Sequence, residues 1–261
     1  MQHEYLDVSR QDGVLRVLIN RPEKRNALSQ AVLNELGATF THHAADQTLV
    51  AAVVTGAGER CFAAGGDLRE FDALREKAQV AGMARASAVA LDAIRDFPVP
   101  VVAALNGDAL GGGAELAVAC DMRIFATHAR IAFVQGTLCI SPAWGGGADL
   151  VRIVGGSRAL KLLARGDLLS AAEAQAYGLA DGIAAPGETL EACMTAFMGP
   201  LVERKPQVMR AFKSLVVATR KSGDWARIRD LEQELLVATW LHPDHWAAAD
   251  RVLARIAGGG K

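Results

Sequence analysis

Cys61-Phe62-Ala63-Ala64-Gly65-Gly66-Asp67-Leu68 and Asn106-Gly107-Asp108-Ala109-Leu110-Gly111-Gly112-Gly113-Ala114-Glu115-Leu116 are the stretches on which the reading of this chain turns. Each follows an apolar, β-rich run and opens into a helical pattern. Small residues at such a junction let backbone N–H groups come close to an anionic oxygen. One N–H from each loop would together form an oxyanion hole. For a lone glycine run, tight turns and close helix packing would be the better reading, but two runs in the same setting favour a site.

Around these loops the pattern alternates. Residues 4–9 and 14–19 read as a β-hairpin about Asp12-Gly13. Ser29 caps an amphipathic helix carrying Val32, Leu33, Leu36 and Phe40. Leu49 to Thr55 reads as a buried strand. Residues 68 to 96 read as a helix with a polar middle, Arg75-Glu76-Lys77, ended by Pro98 and Pro100. Val99 to Leu105 is the next strand, and residues 113–119 form an apolar helix. Short strands follow at 122–126 and 130–134. Helices start after Gly147, at Ser157 and at Ser170, the last with Glu173 as capping-box partner and Gly178 as its stop. Beyond about residue 187 the chain reads as helical. Pro206 and Asp224 open helices there, and Leu231, Leu235 and Trp240 form an apolar stripe. Repeated strand–strand–helix units suggest a spiral α/β core.

Composition narrows the function classes. The 261 residues are 51% hydrophobic, enough for a sizeable core. Lys and Arg total 28 against 29 Asp and Glu, a net charge of -1, so nothing points to nucleic acid. Cys61, Cys120, Cys139 and Cys193 lack CxxC pairing, and the six histidines offer no third ligand. No metal is expected, and reduced thiols suit a cytoplasmic protein. Met1-Gln2-His3-Glu4-Tyr5 is neither apolar nor Arg-rich, so no targeting segment is expected. The longest apolar run, Val99–Leu105, is too short to span a membrane.

Glu115 is the sharpest single residue. It lies three positions past Gly112, one turn into the very apolar helix Leu116-Ala117-Val118-Ala119. A carboxylate there needs a partner or a raised pKa, which suits acid–base work. The competing reading is a structural carboxylate held by a backbone amide or an Arg.

Two further motifs complete the pattern: Asn20-Arg21-Pro22-Glu23-Lys24-Arg25-Asn26-Ala27-Leu28 and Ser141-Pro142-Ala143-Trp144-Gly145-Gly146-Gly147. In this order and spacing the four resemble the crotonase (enoyl-CoA hydratase/isomerase) superfamily, over nearly the whole chain. The resemblance implies a ClpP-like spiral of ββα repeats spanning residues 1–187. It also implies a C-terminal helical region, 188–261, that makes trimer contacts and covers the active site, with a disordered tail at 258–261. A homotrimer or dimer of trimers acting on an acyl-CoA thioester is implied. No cofactor is, since CoA belongs to the substrate.

Residue by residue, the resemblance places the oxyanion hole at Ala64 and Gly112 and the first catalytic glutamate at Glu115. CoA contacts fall on Lys24, Arg25, Ala27, Leu28, Ala63, Asp67 and Leu68, with Lys213 reaching a phosphate. Trp240 stands in for a C-terminal aromatic, and only Arg255 remains of a terminal basic pair. The chain departs from hydratases and isomerases at their second glutamate. Counting along Phe133-Val134-Gln135-Gly136-Thr137 puts Thr137 at that place, and threonine is no general base near neutral pH. Residues 116–172 contain no Glu, and their only acids are Asp121, Asp149 and Asp167. Loss of CO2 from a malonyl-type thioester needs an enolate stabiliser and one proton donor. The segment from Ile131 to Lys161 is similar to the methylmalonyl/ethylmalonyl-CoA decarboxylase-like branch. Carbon–carbon lyase chemistry is therefore favoured. Hydration or isomerisation is the alternative, and a non-catalytic CoA-ester-binding scaffold is the third reading.

Overall fold

A computed structural model describes residues 3–245, 247 and 248. The tail at 258–261 and Arg255 lie outside the described residues. The hairpin forms as β1 (Leu6–Gln11) and β2 (Val14–Ile19), antiparallel about Asp12-Gly13. Then come α1 (Gln30–His43), capped by the Ser29 hydroxyl on the Val32 N–H, β3 (Ala51–Gly56) and β4 (Cys61–Ala63). The stretch 68–96 is not one helix but two, α2 (Leu68–Phe71) and α3 (Lys77–Arg95). The break has a local cause: Gln79 Oε1 accepts from the N–H groups of Arg75 and Glu76, capping a fresh helix start.

The next unit is β5 (Val101–Leu105), β6 (Asp108–Leu110) and α4 (Gly112–Ala119). It is followed by β7 (Met122–Phe125), β8 (Arg130–Ala132), α5 (Gly146–Val154) and α6 (Gly156–Arg165). Last come β9 (Leu169–Ser170), α7 (Ala171–Ala176), β10 (Gly182–Ile183) and the helices α8 (Leu190–Val202), α9 (Pro206–Lys221) and α10 (Trp225–Trp240). Ser170 and Glu173 make both bonds of the expected capping box at the start of α7.

Two sheets result. The larger has the order β1-β2-β3-β5-β7-β10, parallel from β2 onward. The smaller has the order β4-β6-β8-β9, with β4, β6 and β8 parallel. From β3 to β8, successive turns of the chain place one strand in each sheet and then a helix, so the spiral of ββα repeats is the observed architecture. β4 and β6 are three residues long and carry too little pattern to be read as strands from sequence.

The core joins strands of both sheets to α1, α3 and α4. Phe40 meets Phe97 edge-to-face with ring centroids 5.0 Å apart. Every residue of α4 is buried, which accounts for a helix that is apolar all round and makes its one carboxylate conspicuous. The stripe on α10 is only partly covered: Leu231 and Leu235 are half-buried and Trp240 is 50% exposed.

Candidate active site

The parallel pairing of the small sheet decides where the chemistry can sit. β4, β6 and β8 end side by side, so the loops after Ala63, Leu110 and Ala132 emerge together although they are distant in sequence. Gly111 N–H donates to Ala132 O at 2.9 Å, extending that ladder to the mouth of the site. A fourth segment joins from the start of the chain. Leu28 N–H donates to Gly65 O (2.8 Å) and Asp67 N–H to Leu28 O (3.2 Å).

This stitching corrects one expectation. The Ala64 N–H is consumed internally, donating to Arg25 O at 3.1 Å. Gly65 then takes φ +102°, a conformation glycine adopts without strain, and turns the chain. Among the described residues no acceptor takes the N–H of Gly66 or of Gly112. A Cβ on Gly65 would stand 3.5 Å from Gly112 N, so the two loops meet here. The pair of unspent donors is therefore Gly66 with Gly112, in place of Ala64 with Gly112.

Glu115, on the first turn of α4, is 2% exposed. Its Oε2 accepts from the N–H groups of Trp144 (2.9 Å) and Gly146 (3.0 Å), and its Oε1 accepts from Gln135 Nε2 at 3.0 Å. Among the described residues no arginine is bonded to it. Burial pushes the carboxyl above its ordinary range, and the three donors only partly oppose that. The amides reach it because Gly145 takes φ +90° and reverses the loop. A buried cation fixes that loop from behind. Arg95 Nη2 donates to Trp144 O (2.9 Å), and Arg95 Nε donates to buried Asp149 (2.7 Å).

Thr137 is not in the site. It lies exposed on a 3-10 turn over Val134–Leu138, with its hydroxyl donating to Val134 O at 2.7 Å. The residue that faces Glu115 is Gln135, buried, with its Oε1 lacking a donor among the described residues. The chain leaves the strand at Ala132 and coils, so counting along an extended segment overshoots. The acids of residues 116–172 are all held by cations. Asp121 pairs with Lys213 and Arg220, Asp149 with Arg95 and Arg152, and Asp167 with Arg165. Of the four acids in residues 115–172, Glu115 alone has no cation partner among the described residues.

Of the predicted CoA contacts, several gather along one edge. Ala27 and Leu28 run beside the Gly65–Asp67 turn, and Ala63 is fully buried beneath it. Asp67 pairs with Arg21 at 3.1 Å, which holds its carboxyl below the usual range despite its burial. Leu68 is 61% exposed at the start of α2, and Lys24 is exposed. Lys213 goes elsewhere: it is 2% exposed and bonded to Asp121, so it has no reach to a phosphate. Sequence reasoning missed Arg60. With Arg25, Cys61 and Arg130 it lines a cleft of about 610 Å³, and neither Arg25 nor Arg60 makes an ion pair among the described residues. Its position immediately before Cys61-Phe62 was the available signal. Among the described residues no group of three or more His, Cys, Asp or Glu could hold a metal, and no helix is long and apolar enough to cross a membrane.

Residues 9–247 match the enoyl-CoA hydratase/isomerase family model. The chain is 36% identical over 236 residues to 2,3-dehydroadipyl-CoA hydratase of Escherichia coli, covering 90% of this chain and 89% of that protein. It is 32% identical over 238 residues to ethylmalonyl-CoA decarboxylase of Xenopus laevis, covering 90% and 79%. The crystal structure of an enoyl-CoA hydratase from Bacillus anthracis superposes with a TM-score of 0.89 at 30% identity, covering 97% of each chain.

Proposed function

The chain belongs to the enoyl-CoA hydratase/isomerase family, and within it we propose a carbon–carbon lyase that removes CO2 from a malonyl-type acyl-CoA thioester. The N–H groups of Gly66 and Gly112 receive the thioester carbonyl oxygen. The bond between the α-carbon and its carboxylate breaks, CO2 leaves, and the electron pair moves onto the thioester oxygen as an enolate. Glu115, whose proton affinity is raised by burial, then delivers a proton to the α-carbon as the enolate collapses. Bulk solvent reprotonates it for the next cycle. The observation that carries this reading is the isolation of Glu115, since each Asp of residues 116–172 is tied to an Arg or Lys.

Arg25 and Arg60 hold the phosphate end of CoA, and the exposed Leu236, Val237 and Trp240 of α10 support a homotrimer. The reaction calls for no cofactor beyond the substrate, and a cytoplasmic location suits it. A second reading, hydration of an enoyl-CoA, is favoured by the hydratase named above. It draws support from Gln135 Oε1, which is placed to hold a water beside Glu115.

The deciding experiment offers crotonyl-CoA, methylmalonyl-CoA and ethylmalonyl-CoA to the purified protein and to Glu115→Gln, with products read by mass spectrometry. CO2 loss that is weakened in the variant supports the lyase. Fast hydration of crotonyl-CoA transfers the case to the second reading. Tight binding without turnover of any of the three favours the scaffold.

A further inference from the structure

Trp144 does more than lend its N–H to Glu115. Its indole is buried, 6% exposed, and lies against both unspent-donor glycines. A Cβ on Gly112 would stand 2.6 Å from Trp144 Cη2, and one on Gly66 would stand 3.5 Å from the same atom. The Gly66 position is also flanked by Phe71, whose Cε2 would lie 2.7 Å from that Cβ. The two glycines are thus small because aromatic rings occupy the space beside them.

The loop that carries the indole is itself held in place. The Trp144 N–H is tied to Glu115 and its carbonyl to Arg95, so the backbone is fixed at both ends. The carbon that Glu115 protonates must lie within reach of that carboxyl. An acyl chain leaving this carbon therefore starts beside the Trp144 ring.

Resting on the acyl-CoA reading above, we propose that Trp144, flanked by Phe71, is the specificity-determining stop of the acyl pocket, so that the substrate is a short-chain thioester. A long chain would have to displace a close-packed indole, and close-packed interiors yield little.

Saturated thioesters test this without relying on turnover. Calorimetric titration with CoA, butyryl-CoA and octanoyl-CoA is performed on the wild type, Trp144→Ala and Trp144→Phe. The wild type is expected to bind butyryl-CoA at least about tenfold more tightly than octanoyl-CoA, and Trp144→Ala to reduce that ratio about tenfold, with Trp144→Phe between them. Equal binding of both esters by the wild type overturns the proposal, as does an unchanged ratio in a folded Trp144→Ala protein. Should Trp144→Ala fail to fold, Trp144→Phe and Phe71→Ala decide, and a ratio unmoved in both overturns it. Failure of the wild type to bind CoA or either ester removes the acyl-CoA reading itself, a result distinct from equal binding.

Discussion

Gln135 Nε2 donates to Glu115 Oε1 across 3.0 Å, and the other end of the same amide, Oε1, is buried with no donor among the described residues. One side chain thus tunes the acid and offers an acceptor beside it. Gln135→Leu removes a donor that favours the carboxylate, so the Glu115 pKa rises further. For a group that acts protonated, activity declines as pH climbs through its pKa. The falling limb of the pH–rate profile should therefore move to higher pH in Gln135→Leu, read from kcat across the pH range. A limb that stays put would show that Gln135 does not govern Glu115.

Glu115 should also leave a mark on stability. Its folded-state pKa is raised by burial, so between the ordinary and the raised value the folded chain binds more protons than the unfolded one. Unfolding free energy then falls as pH rises through that window and is level above it. Glu115→Gln, which can keep the Trp144 and Gly146 bonds, lacks this decline. Its Tm relative to the wild type should grow more favourable as pH rises from about 4 to about 8. The same variant should lose about 100-fold or more in turnover.

Thr137→Ala should leave turnover within about twofold of the wild type, because its hydroxyl bonds only its own exposed turn. Loss of activity comparable to that of Glu115→Gln would restore Thr137 to the reaction.

Lys213 and Arg60 should separate stability from binding. Lys213→Ala leaves Asp121 with one cation fewer inside the protein and should cost about 3 kcal/mol, measured by denaturant unfolding, with KM for the CoA ester unchanged. Arg60→Ala should raise KM about tenfold and leave Tm nearly unmoved, since Arg60 is an exposed residue lining the cleft and makes no ion pair among the described residues.

The sequence already carried the glycine loops, the hairpin, the caps at Ser29 and Ser170, and the lone carboxylate of α4, because each is written in neighbouring residues. What it hid was non-local. The Ala64 N–H is spent on Arg25 O, a partner 39 positions away that only the pairing of the two segments reveals. Lys213 reads as a surface cation until Asp121, 92 residues earlier, is seen beside it. Periodicity continues the strand through Val134, whereas the backbone coils there and brings Gln135, rather than Thr137, against Glu115. A polar residue directly after the apolar run Ile131–Val134 was the only hint.

The small sheet has a consequence for how this site can change over time. β4, β6 and β8 touch through only a few residues each, yet each delivers a separate loop to the same mouth. Gly66, the Gly112–Glu115 stretch and the Gln135 wall therefore belong to three different turns of one spiral, joined by backbone pairing that ignores side-chain identity. An altered residue on one loop leaves the others in place. A lineage built this way can trade one reaction for another a single loop at a time, without surrendering the fold between steps.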